Sequence, residues 1–60
     1  MNQKEWHIIV SARDELNNAA ALASAMYVQS GYKDEDLKID ARRWNNAAEE
    51  LDRLLRASGY

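Results

Sequence analysis

The chain is predicted to be all-α: an antiparallel two-helix hairpin that dimerises into a four-helix bundle. Three observations lead there. Its sixty residues hold no proline and two glycines, so little in it breaks a helix. Gly31 sits near the midpoint, where a chain reversal would divide it into two comparable helices. Apolar residues recur at steps of three and four on both sides of that glycine.

The first helix is expected from about residue 3 to 30. Asn2-Gln3-Lys4-Glu5 fits a capping box, in which Asn2 accepts from the Glu5 N–H and the Glu5 carboxylate reaches back. Ile8, Ile9 and Val10 are β-branched, but no polar alternation around them supports a strand. The expected seam runs through Ile9, Ala12, Leu16, Ala19, Ala23 and Met26, in steps of 3, 4, 3, 4 and 3. Trp6 and Tyr27 lie one step off it, as core-edge residues.

The turn is expected over 31–34. Gly31 takes the left-handed conformation that closes the helix, and Tyr32 folds back on its last turn. Asp34 then caps a second helix of about 35–57, with Glu35 and Asp36 at the positive end of its dipole. Gly59 is expected to end it. Leu37, Trp44, Ala47, Leu51 and Leu54 form the expected seam, interrupted by Asp40 and broadened by Ala41, Ala48 and Leu55. One seam is alanine-rich and the other carries Trp44 and leucines, so small residues can accept large ones.

The halves also resemble each other. Asn17-Asn18-Ala19-Ala20 recurs as Asn45-Asn46-Ala47-Ala48, and Ser30-Gly31-Tyr32 as Ser58-Gly59-Tyr60. Both offsets are 28 residues, or four heptads, and residues 5–32 share seven identities with 33–60. Either a helix-and-cap unit was duplicated, or similar helix-ending chemistry arose twice in an alanine-rich chain.

One hairpin is not expected to suffice. From Leu16 to Tyr32 there is no charged residue, whereas the turn and second helix hold thirteen of the eighteen charges. A helix with one partner needs polarity on its far side. The first helix is therefore expected to be central and the second peripheral. Two helices alone bury little apolar area. A homodimer is the expected solution; the alternative is a first helix that waits for a larger partner protein.

Composition narrows the chemistry. Without cysteine there is no disulfide, thiol catalysis or thiolate metal site, and one histidine does not make a metal centre. Ser11 has Asp14 nearby but no placed base, and His7 beside Trp6 reads as a surface histidine. No catalytic residue, cofactor or metal is expected. Ala23-Ser24-Ala25 looks like a signal-peptidase site, but Arg13, Asp14 and Glu15 occupy the place of the apolar stretch it would need. The apolar run from Ala19 to Val28 is too short to cross a bilayer, so no membrane role and a cytoplasmic location are expected.

What remains is surface. Asn17, Asn18, Ala21, Ser24, Ala25 and Val28 make an uncharged stretch expected to bind a partner protein. It is covered by the second subunit in the competing reading. Asn17, Asn18, Asn45 and Asn46 each cost about 0.5 kcal/mol in a helix relative to alanine, which calls for either tolerance at an exposed surface or a hydrogen-bonding role. Arg42 and Arg43 form the alternative, nucleic-acid face. Glu49–Arg53, Asp52–Arg56 and Asp40–Arg43 are expected to neutralise most of the remaining basic charge. The length and architecture resemble the small dimeric helical hairpins of plasmid copy control, which bind RNA while net acidic, although no motif is shared. The expected function is a small non-enzymatic protein-binding regulator or inhibitor of microbial, phage or plasmid origin. A dimeric RNA- or DNA-binding hairpin is the alternative.

Overall fold

The computed structural model describes residues 1–58. It contains two helices, α1 (Gln3–Gln29) and α2 (Glu35–Ala57), packed along each other. The expected ending at Gly59 lies outside the described residues. The start of α1 follows from Asn2, whose side chain accepts from the Glu5 N–H at 2.8 Å while its carbonyl accepts from Trp6 at 2.9 Å. Only half of the capping box forms: among the described residues no bond returns from the Glu5 carboxylate to the backbone of Asn2.

The reversal after α1 is a Schellman motif. The N–H of Gly31 donates to the carbonyl of Val28 at 3.0 Å, and that of Tyr32 to the carbonyl of Tyr27 at 3.1 Å. Gly31 and Tyr32 both take positive φ, 74° and 63°. Tyrosine tolerates this conformation poorly, but here its ring meets that of Tyr27 edge to face, with centroids 5.5 Å apart.

Ser30 organises the rest of the turn. Its hydroxyl donates to the Tyr27 carbonyl at 2.7 Å and accepts from the N–H groups of Lys33 and Asp34 at 3.3 and 3.2 Å. Asp34 occupies the N-cap of α2, yet its side chain makes no capping bond. Only its carbonyl engages the helix, accepting from Leu37 at 3.2 Å.

Among the described residues the buried ones are Ala20, Ala23, Ala41, Ala48 and Leu55. They place the α1 seam at Trp6, Ile9, Arg13, Leu16, Ala20, Ala23 and Tyr27, and the α2 seam at Leu37, Ala41, Trp44, Ala48, Leu51 and Leu55, each residue buried or half-buried. Ile9, Leu16 and Ala23 of the expected α1 line hold, as do Leu37, Trp44 and Leu51 with the broadening residues Ala41, Ala48 and Leu55 on α2, while Ala12, Ala19, Met26, Ala47 and Leu54 give way to the residue that follows each. Met26 is 45% exposed and Leu54 56% exposed, both outside the core. Ala12, Ala19 and Ala47 are half-buried flank positions, and Asp40 flanks the α2 seam without interrupting it. Trp6 and Tyr27 lie on the seam, not beside it.

The ion pair between Arg13 and Asp52 sets the antiparallel level of the helices. Within one residue of that register Leu16 lies level with Ala48 and Ala20 with Trp44, so a large residue of one helix stands opposite a small one of the other. Ala23 and Ala41 are level as well, which lets the backbones approach closely near the turn. The 28-residue recurrence now has a structural counterpart. Adding 28 to each α1 seam position from Ile9 to Tyr27 gives the α2 seam from Leu37 to Leu55. Ser30 and Ser58 also match: each hydroxyl donates to the carbonyl three residues earlier, at 2.7 Å.

Candidate interaction surfaces

Two long helices leave two sides and two outward faces for chemistry. One side carries a groove of about 330 Å³ lined by Arg13, Asp14, Asn17, Ala48, Glu49 and Asp52. Arg13 projects from a seam position and reaches the Asp52 carboxylate at 3.0 Å and that of Asp14 at 3.2 Å. Hydrogen bonding to Asp14 is the main cause that raises the Arg13 guanidinium above its ordinary value; desolvation opposes it and Asp52 adds to it. Asp52 also holds Arg56 at 2.8 Å. The sequence flagged the Asp52–Arg56 pair but not Arg13, because an arginine amid an apolar seam reads as an interruption.

The expected partner-binding stretch divides over two faces. Asn17, Ala21, Ser24 and Val28 are spaced 4, 3 and 4 residues apart and share the flank that begins at this groove. Asn18 and Ala25 fall on the face of α1 directed away from α2. All six are exposed. Asn45 and Asn46 are exposed too, and among the described residues no hydrogen bond engages any of the four asparagine side chains. Their exposure fits the reading of tolerance at a surface.

The opposite side is more apolar. Since Asp14 and Asn17 lie beside Glu49 and Asp52, the other flanks of the two helices share the other side. From α1 these are Ile8, Ala12, Glu15, Ala19, Leu22 and Met26, spaced 4, 3, 4, 3 and 4; from α2 they are Asp36, Asp40, Arg43, Ala47, Glu50 and Leu54, with the same spacing. Ile8 is 59% and Leu22 63% exposed. Periodicity alone does not reveal this face, because Ala12, Ala19 and Met26 fit the expected core line. The signal that would have found it is the second heptad line one residue before the seam.

On the outward face of α2, Lys38, Ile39, Arg42, Arg43, Glu35 and Asn46 line a depression of about 290 Å³. Neither Arg42 nor Arg43 makes an ion pair among the described residues, and the expected Asp40–Arg43 pair is absent. Arg53 pairs with Glu50 at 3.2 Å in place of Glu49. His7 is exposed and stands edge-on to Trp6, with ring centroids 5.5 Å apart. No helix among the described residues is long and apolar enough to cross a membrane.

No protein-family model matches this chain, and no characterised protein or solved structure shows significant similarity to it.

Proposed function

We propose that the protein is a small non-enzymatic regulator or inhibitor that binds a larger protein through its helical surface, and that it does so as a dimer. The observation that carries this reading is the distribution of apolar side chains. Four alanines and one leucine are buried, while Ile8, Leu22, Met26, Val28, Ile39 and Leu54 are each between 45% and 63% exposed. Ile8, Leu22, Met26 and Leu54 share one side of the hairpin, and a contiguous exposed aliphatic patch of this kind supports an interaction surface. The Asn17, Ala21, Ser24 and Val28 flank offers the larger protein an uncharged approach. Small side chains admit a foreign helix, and the asparagine amide supplies donors and an acceptor.

Affinity capture from the native host's lysate, with and without nuclease, tests the reading. A protein retained after nuclease by the wild type, and lost with Ala21→Lys and Ala25→Lys, supports it. Capture that depends on nucleic acid overturns it. That outcome would favour the second reading, nucleic-acid binding through Arg42 and Arg43. Its specific support is that both arginines are exposed and, among the described residues, without ion pairs, beside a depression that also carries Lys38.

A further inference from the structure

We infer that the side bearing Ile8, Leu22, Met26 and Leu54 is covered by a second copy of this chain, with α1 lying antiparallel on α1 and α2 on α2. The inference rests on the self-association proposed above and assigns it a face and a register. Three features select this occupant.

First, the α1 line is self-complementary when reversed. With residues whose numbers sum to 34 placed level, Ile8 faces the partner's Met26, Ala12 faces the partner's Leu22 and Glu15 faces the partner's Ala19. Each contact recurs with the roles exchanged, as a twofold interface requires. Leucine meets alanine, and the carboxylate of Glu15 stands over a methyl group from which it can turn to solvent.

Second, the α2 line falls into register under the same rotation. The level of Arg13 and Asp52 within one hairpin ties the two helices together, so the register on α1 dictates the one on α2. With Leu16 level with Ala48 and Ala23 with Ala41, it brings Ala47 onto the partner's Ala47, Arg43 to within a residue of the partner's Glu50, and Leu54 level with the partner's Asp40. Opposite charges therefore meet at the rim of a small-residue centre. The other twofold stacking, α1 on α2, places Glu15 on the partner's Glu50, Leu22 on the partner's Arg43 and Met26 on the partner's Asp40. It sets like charges together twice over, Glu15 on the partner's Glu50, which the stacking of α1 on α1 avoids.

Third, the area is adequate. Ile8 to Met26 spans about 27 Å at 1.5 Å per residue. Across two helices of about 10 Å each, this gives a footprint of roughly 500 Å² per chain, or about 1,000 Å² in total, the threshold for a specific interface.

The chain lacks cysteine, so a single introduced thiol is unique. Helices about 8–10 Å apart bring facing Cα atoms to within about 6 Å, which suits a disulfide. Ala47→Cys is expected to form a covalent dimer on mild oxidation, and Ala21→Cys on the opposite side is not. Sedimentation equilibrium on the full chain is expected to show a dimer, with Leu22→Arg raising its dissociation constant about a hundredfold or more. Leu22 is exposed in the hairpin, so circular dichroism on this variant separates loss of dimer from loss of helix. Cross-linking of Ala47→Cys chains to Ala19→Cys chains, with no Ala47→Cys homodimer, would overturn the register by favouring α1 on α2. A dimer indifferent to Leu22→Arg would overturn the face while leaving self-association intact. A wild-type monomer at micromolar concentration would overturn both.

Discussion

Arg13 Nη1 donates to Asp52 Oδ1 at 3.0 Å, the one ion pair between the two helices among the described residues. Both side chains are about two-thirds covered, at 28% and 33% exposure. Such a pair acts differently from an exposed one: removing one member leaves the other poorly solvated and unmatched, whereas an apolar replacement of similar length need not destabilise. Asp52→Ala is therefore expected to lower the melting temperature more than Asp14→Ala, and the joint replacement Arg13→Met with Asp52→Leu to be tolerated better than either change alone. Thermal melts of the single and double alanine variants check this. A coupling energy between positions 13 and 52 no larger than that between 13 and 14 would deny the pair any part in joining the helices.

Gly31 supports a second expectation. Its φ of 74° lies in the left-handed region, and a Cβ there would meet nothing within 4 Å. The cost of Gly31→Ala is thus conformational and not steric, about 1 kcal/mol. That corresponds to a fall of roughly 4–8 °C in melting temperature for a chain of this size. Gly31→Asn should lose less, because asparagine enters this region more readily. Equal melting of all three proteins at one concentration would show that the Schellman turn does not limit stability.

Overpacking tests the observed seam. Ala48 is 3% exposed, so Ala48→Leu should destabilise by about 1–3 kcal/mol. Ala25 is exposed on the outward face of α1, and Ala25→Leu should change stability by no more than about 0.5 kcal/mol. Chemical denaturation at fixed protein concentration measures both. A harmless leucine at position 48 would mean that the helices pack through another face.

The same alanines explain which features were legible in the sequence. Helix ends are local chemistry, so Asn2 and Gly31 act where their residue types indicate. Helix phase is not local. Ala19-Ala20-Ala21 presents methyl groups of equal size all round α1, and alanine hydrophobicity alone does not say which one faces α2. The choice falls to residues farther along, Tyr27 and Leu16, and to Arg13, whose charge hides its seam position. On α2 Leu54 and Leu55 are equivalent in composition, and only the level of the partner helix separates the exposed one from the buried one. The candidate surfaces inherit this ambiguity. Residues assigned to the core, Met26 and Leu54, turn out to be surface, while the exposed Asn17, Ala21, Ser24 and Val28 flank could be read directly.

The remaining surfaces make opposite demands on salt. A partner protein docked on Ala21, Ser24 and Val28 meets no ionised side chain there, so its affinity should change little between low and moderate ionic strength. Nucleic acid held by Arg42 and Arg43 would behave otherwise, because each neutralised phosphate releases counterion and contributes about −0.9 to the slope of log K against log salt on a duplex. Two such contacts give about −2, and Arg42→Ala with Arg43→Ala should abolish that slope together with the binding. The expectation here is a flat response for the captured protein, unaltered by the two arginine substitutions and lost with Ala21→Lys. Titrations of a labelled RNA hairpin and a DNA duplex, run over the same salt series, provide the opposing measurement. Binding there with a slope near −2 that vanishes with the arginines would move the functional surface from α1 to the outward face of α2. Because Arg43 also borders the apolar side, Arg42→Ala alone, which leaves that side unchanged, separates loss of nucleic-acid binding from any weakening of the dimer.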